Sequence, residues 1–183
     1  MALVLSVGQK EITMKAQVFR GVNQLSYEEL PVPLIAPDEV LVQVRVVGLC
    51  QSDIKKIRYP LYEPPRIFGH ETAGVIAAVG NEVSDWEVGQ QVVVMHHISC
   101  MRCGYCLNDN FSMCYVYKNI STTAGFTPSG GGFAEYVKVP GHIVRNGGLI
   151  PIPPGVSFEQ ASFVEQLSAA SRRFKKPRLP LVK

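Results

Sequence analysis

Four cysteines, Cys100, Cys103, Cys106 and Cys114, crowd into one stretch with the spacing C-x2-C-x2-C-x7-C. No other feature restricts the fold as much. Residues 96–128 show neither a strand nor a helix period, and a structureless loop of that length needs something to tie it down. Thiolate is a preferred ligand of zinc, and four thiolates make a closed tetrahedral site with no position for a substrate. The cluster therefore reads as a structural metal lobe. Four cysteines also suit an iron–sulfur cluster, and zinc ribbons use two C-x2-C hooks separated by a longer spacer. Three tightly spaced cysteines followed closely by a fourth favour one lobe wrapped around one ion.

The fifth cysteine, Cys50, lies upstream, twenty residues before the histidine of Gly69-His70-Glu71. Sulfur, nitrogen and oxygen donors together are the set that an open, catalytic zinc uses. Each of these residues also has an ordinary role. A lone cysteine is often a small buried hydrophobe, His70 alone would be a hydrogen-bonded core histidine, and Ser52 and Asp53 would cap a helix.

The bulk of the chain is that of a soluble domain. Its 183 residues make one domain with some surplus, and no apolar run approaches the roughly 20 residues that cross a membrane. The N-terminus lacks a basic stretch and a cleavage site. Five cysteines without an export signal point to metal binding in a reducing compartment, so a cytoplasmic location is expected. The net charge of +3 comes from residues 171–183, which hold six bases and no acid and leave 12 bases against 15 acids elsewhere. Such a tail can bind nucleic acid, but no stripe of bases interleaved with aromatics accompanies it, so no nucleic-acid partner is expected.

Residues 1–13 read as an N-terminal extension, since Met14 would serve equally well as a start. Valine-rich runs bounded by turn formers predict strands over 15–19, 40–47, 72–79 and 91–95, with another over 133–139 after three glycines. Pro31, Pro33 and Pro37 mark a loop. A short helix is expected from 50 to 56, with Ser52 or Asp53 near its cap. A longer one is expected over 158–174, capped by Ser157 and ended before Pro177.

The order of motifs resembles one family. Gly69-His70-Glu71-Thr72-Ala73-Gly74, with Gly80 and Val83, is similar to the zinc signature of medium-chain alcohol and polyol dehydrogenases. The cysteine cluster has the spacing of that family's structural-zinc lobe. Gly48-Leu49-Cys50-Gln51-Ser52-Asp53 resembles its first-ligand motif, and Gly132-Phe133-Ala134-Glu135-Tyr136 the strand after the lobe. The resemblance runs from about residue 14 to about 176. It implies a mainly β fold: a GroES-like, partly open β-barrel with short helices over 14–156, including the zinc lobe 96–128, followed by a helix and basic tail over 157–183.

It also implies roles. Cys50 and His70 would hold a catalytic zinc, with Asp53 as the carboxylate behind the histidine. Glu71 and Glu165 are both candidates for the remaining ligand, because in the polyol and sugar branch the glutamate of Gly-His-Glu ligates and a later glutamate holds metal or water. The branch usually has proline where this chain has Gln166. Ser52 would hydrogen-bond the substrate hydroxyl and carry its proton away. Lys55 stands where some members have a relay histidine, so that relay is not expected. His96, His97 and His142 read as loop histidines, with His96 or His97 placed to line a substrate cleft.

The same resemblance implies a small alcohol or polyol substrate and NAD or NADP. Family members continue into a Rossmann domain whose glycine-rich turn meets the pyrophosphate. Here no glycine follows Gly155, and no G-x-G-x-x-G occurs. A truncated, frameshifted or designed chain would each read this way, with the cofactor site absent, no activity alone, and an apolar inter-domain face inviting self-association. The alternative is a non-catalytic zinc-binding structural or interaction module descended from such an enzyme.

Overall fold

The computed structural model describes residues 12–118 and 130–175. The extension up to residue 11, lobe residues 119–129 and the tail from 176 lie outside the described residues.

Period-2 alternation builds the main sheet. Strands β3 (Val40–Gly48), β4 (Glu71–Val79), β5 (Gln91–Val94), β6 (Tyr136–Val139) and β7 (Leu149–Pro151) form an antiparallel sheet in the order β6-β3-β4-β5-β7. Successive side chains on a strand point to opposite faces. In β5, Val92 and Val94 join Val40, Val42, Ile76, Val137, Val139, Ile143 and Leu149 in one core, while Val93 joins Ala73 and Ala161 in a second core on the opposite face. Helix α4 (Gly141–Arg145) supplies Ile143 to the first core. Helix α5 (Phe158–Ser162) supplies Ala161 to the second, alongside Phe158, Ile152 and Val164. Each fully buried valine contributes on the order of 1.5–3 kcal/mol.

The hairpin of β1 (Thr13–Gly21) and β2 (Gln24–Pro31) forms a separate two-stranded sheet. It is joined to the rest by bridges from Ala16 to Ala134 and from Phe19 to Arg66. The mainly β architecture expected from the family pattern is present. It takes the form of two open sheets linked by these bridges, with no closed barrel.

Several local expectations change. β2 was hidden in the sequence because its apolar residues face outward: Leu25 and Tyr27 are exposed, and Pro31 suggests a loop. The helix expected over 158–174 is two helices, α5 and α6 (Val164–Lys175), divided at Phe163. Ser157 caps α5 as expected, accepting from the Gln160 amide while the Gln160 side chain accepts from Ser157 N. The N-cap residue of α1 (Gln51–Arg58) is Cys50, and Asp53, three residues on, closes a capping box by accepting from the Cys50 amide, so Asp53 takes part in the cap as expected.

Candidate metal centres

The lobe is built from short elements that turn four sulfurs toward one point. Cys103 precedes helix α2 (Gly104–Leu107), which carries Cys106, and a single 3-10 turn (Phe111–Met113) delivers Cys114 just before helix α3 (Tyr115–Lys118). Met101 and Asp109 adopt left-handed backbone angles, φ 57° in both. For Met101 this conformation is uncommon and costs on the order of 1 kcal/mol, and it lies inside the first C-x2-C. The lobe's own small core is Cys103, Cys106 and Cys114, with Phe111 and Val116 packed against them.

The sulfur spacing tests the donor set. Cys103 Sγ and Cys106 Sγ are 3.5 Å apart, and Cys100 Sγ and Cys106 Sγ 3.9 Å. A tetrahedral ion with metal–sulfur bonds of about 2.3 Å sets its ligands about 3.8 Å apart, whereas a disulfide would need about 2.05 Å. All four sulfurs lie within 4.8 Å of one another, so the four cysteines fit one ion. Burial pushes the Cys106 thiol up to about 11, and the neighbouring cysteines add to the shift. The backbone amide of Cys106 holds Cys103 below the usual thiol range, against the opposing effect of burial. A cation among such crowded sulfurs would favour their thiolate forms.

The second group forms at the open end of the β3–β4 ladder. Register pairs Gly48, the last residue of β3, with Glu71, the first of β4. Cys50 follows β3 by two residues and caps α1; its sulfur accepts from Ser52 N at 3.5 Å. His70 precedes Glu71 directly. Gly69 turns the chain into it at φ +94°, where a Cβ would stand 2.8 Å from the Phe133 amide nitrogen. One donor atom from each of Cys50, His70 and Glu71 lies within 4.8 Å of the others. His70 and Glu71 are buried and Cys50 is half-buried. Two strand ends and a helix cap thus bring S, N and O donors together.

Charged and polar neighbours hold this group. Asp53 is fully buried. Its Oδ2 accepts from Cys50 N at 3.2 Å, and Oδ1 lies 3.3 Å from Lys56 Nζ and 3.2 Å from His70 Nδ1. The His70 contact is short but off the line of a hydrogen bond, since Nδ1 has no partner in that geometry; the carboxylate faces this edge of the ring. Burial pushes the Asp53 carboxyl up, but His70 and Lys56 outweigh it and hold the group below its ordinary value. With Nδ1 turned to Asp53, Nε2 is the nitrogen left for a metal, and Ser52 Oγ lies 3.5 Å from it.

Two further residues approach this site, Gln166 without any sequence signal and His96 as one of the two histidines expected to line a cleft. Gln166, where the family pattern has proline, reaches from α6 and donates from Nε2 to Glu71 Oε1 at 2.7 Å. His96, just after β5, is buried with its ring centroid 4.6 Å from that of His70 and 3.7 Å from that of His97. Burial, then the charges of His97, His70 and Lys56, lower His96 to about 2. Glu165 lies half-buried in the first turn of α6 and does not join the group formed by Cys50, His70 and Glu71. A cavity of about 590 Å³ lies between the β1–β2 hairpin and the end of β3, lined by Gln17, Tyr27, Leu49, Phe68 and Phe133 among others. It contains none of the three donors, so the chemistry is assigned to the donor cluster.

Comparison with known proteins shows the family of the chain. The chain is 36% identical over 160 residues to sorbitol dehydrogenase of Bacillus subtilis strain 168, covering 85% of this chain and 43% of that protein. It is 34% identical to an uncharacterized zinc-type alcohol dehydrogenase-like protein of Escherichia coli K12, covering 88% and 45%. Among solved structures, an alcohol dehydrogenase of Escherichia coli CFT073 complexed with NADH superposes with a TM-score of 0.73 at 32% identity, covering 87% of this chain and 44% of the other. The chain thus spans under half the length of these relatives. The alcohol dehydrogenase GroES-like domain matches residues 36–175, and the chain belongs to that family.

Proposed function

We propose that this chain supplies the metal and substrate side of a zinc-dependent, NAD(P)-linked dehydrogenase that oxidises a secondary alcohol of a polyol or sugar. The observation that carries the reading is the convergence of Cys50, His70 and Glu71 at one strand end, beside a separate four-cysteine lobe. The similarity to a sorbitol dehydrogenase and to a zinc-type dehydrogenase supports the choice of metal and substrate class.

Cys100, Cys103, Cys106 and Cys114 would hold a structural ion whose binding energy is folding energy. Cys50, His70 and Glu71 would hold the second ion, with Glu165 a further candidate from α6. Zinc bound there supplies a Lewis acid that makes an alcohol more acidic. Ser52 Oγ, next to His70 Nε2, is placed to accept the hydroxyl proton. Asp53 keeps the imidazole oriented. His96, held neutral by burial, walls the site without adding charge.

Hydride transfer needs a nicotinamide held at near-attack distance, and such positioning contributes roughly 7–11 kcal/mol. Residues 1–183 carry no phosphate-cradling G-x-G-x-x-G turn, so the cofactor site is assigned outside them and these residues alone are read as inactive. The exposed Leu49, Leu61, Phe163 and Leu167 support the expectation of self-association through an uncovered apolar face. A cytoplasmic location belongs to the same reading, resting on five free cysteines.

Elemental analysis of the purified chain tests the metal assignment. Two zinc ions are expected in wild type and one in His70→Ala; iron, or equal metal content in both, would overturn it. Fluorescence titration with NADH and a polyol oxidation assay test the rest. Turnover by these residues alone, abolished by Cys50→Ser, would show a cofactor site within them and refute the inactivity.

A further inference from the structure

Glu71 is a buried carboxylate at the end of the β3–β4 ladder, and two structural features fix where it points. On one side, Gln166 Nε2 donates to Oε1 at 2.7 Å across 95 residues of sequence. On the other, Gly48 leaves room for the carboxylate: a Cβ there would stand 2.0 Å from Oε2. A carboxylate on a flexible side chain has several rotamers, and holding it by one oxygen selects among them.

We propose that Gln166 is a positioning residue that presents Glu71 as an oxygen ligand to the metal of the Cys50/His70 group. The proposal rests on the reading of that group as a metal site and adds the means by which its third ligand is set. The chemistry of the amide suits the task. A neutral Gln –NH₂ donates without bringing a charge that would compete with the ion, whereas a lysine at that point would neutralise the carboxylate. Partners that hold a metal ligand from behind typically change metal affinity by about 10–100-fold. The contact also ties the site to α6. Because α6 starts at Val164, immediately after the break at Phe163, the position of Gln166 depends on how α5 docks on β3 and β4.

The test uses cobalt(II) as probe, added to zinc-loaded chain after a short chelator treatment has emptied the mixed site. Cobalt affinity and the visible absorption bands are read for wild type, Cys50→Ser, Gln166→Met, Glu71→Gln and the Gln166→Met/Glu71→Gln double variant. Gln166→Met is expected to weaken cobalt binding by about 10–100-fold and to alter the bands as Glu71 does when removed. In the Glu71→Gln background the same substitution should change affinity less than about twofold, because coupled residues lose their interaction only once. If Glu71→Gln weakens binding and Gln166→Met does not, the positioning role is refuted and the metal site stands. Equal losses from Gln166→Met in both backgrounds would mean that Gln166 acts through something other than Glu71, which also refutes the proposal. If Cys50→Ser and Glu71→Gln both bind cobalt like wild type, the metal reading falls and the proposal falls with it.

Discussion

The two candidate metal centres are built by opposite strategies. In the lobe, all four donors come from one short segment, and the fold's contribution is a few tight turns between them. In the mixed site, Cys50 comes from a helix cap, His70 and Glu71 from the start of a strand, and their supports Asp53 and Gln166 from two different helices. A local site carries its own geometry and, once loaded, organises the segment around it. A dispersed site inherits its geometry from the sheet and changes whenever the sheet or α6 changes. The first is expected to be tight and structural, the second weaker and open to exchange.

The largest expected effect strikes the local centre. Cys103→Ser should remove the lobe's metal and lower stability by about 4 kcal/mol or more, the size seen when a structural metal is lost, which is roughly a 10 °C fall in Tm for a chain of this length. Proteolysis should speed up within residues 96–118, while the sheet core keeps its protection. An unchanged Tm and cleavage pattern would break the contrast, because the lobe would then be held by its short helices and not by an ion.

Next in size is the difference in metal release. A short chelator treatment should empty the Cys50/His70/Glu71 site about a hundredfold faster than the four-cysteine site, since a closed thiolate set has more ligands and no open position. Zinc counted per chain against time would show two phases. A single phase would merge the centres into one class.

What could be read from the sequence follows the same division. Cys100, Cys103, Cys106 and Cys114 were legible because their spacing alone makes a site. Cys50 and His70 were legible only through the family pattern, since nothing in a lone Cys50 separates a ligand from a buried thiol. The strands with inward valines, such as 91–95, were readable from their alternation, whereas β2 was not, because Leu25 and Tyr27 face outward. The break at Phe163 was invisible because the helical pattern continues through it. The Gln166–Glu71 bond had no signal at all: it joins residues far apart in sequence and exists only after α5 and α6 have docked. Glu165, one of the two candidates for the remaining ligand, neighbours Gln166 in α6 and lies outside the three-donor group.

A smaller effect concerns pH, and the histidine that carries it lies beside the dispersed site. His96 is lowered to about 2 in the folded chain by burial and by its charged neighbours, against about 6.5 when unfolded. The unfolded state therefore binds the extra proton first, so this contribution is present above pH 6.5 and is lost as pH falls below it. Between pH 6.5 and 5 the loss amounts to about 2 kcal/mol. His97, lowered to about 4, is exposed at its surface, and solvent screening reduces its share. Urea unfolding of wild type and His96→Gln across this range should show the wild type losing more stability on acidification. Parallel curves would mean that His96 titrates normally and is not sealed behind His70.

The smallest effect is also the most local to the dispersed site. Gly48→Ala places a Cβ 2.0 Å from Glu71 Oε2 and 3.0 Å from Glu71 Cβ. No left-handed backbone angle is needed at Gly48, which is not among the residues of positive φ, so the substitution is felt through space and not through the chain. The atom nearest the new methyl is the end of a flexible side chain, and the carboxylate can swing away. Overall stability should therefore fall by only about 1 kcal/mol, at the low end of what overpacking costs. The swing must lengthen or break the bond to Gln166 and withdraw the oxygen from Cys50 and His70. Cobalt affinity at the mixed site should drop about tenfold, as it does when a ligand's support is lost, while the four-cysteine site keeps its metal. A glycine two residues before one ligand and paired across the ladder with another would then be part of the metal site without touching the metal. If Gly48→Ala lowers stability by several kcal/mol and leaves cobalt affinity intact, the strand pair gives way before Glu71 does. The dispersed centre would then be stiffer than the sheet that carries it.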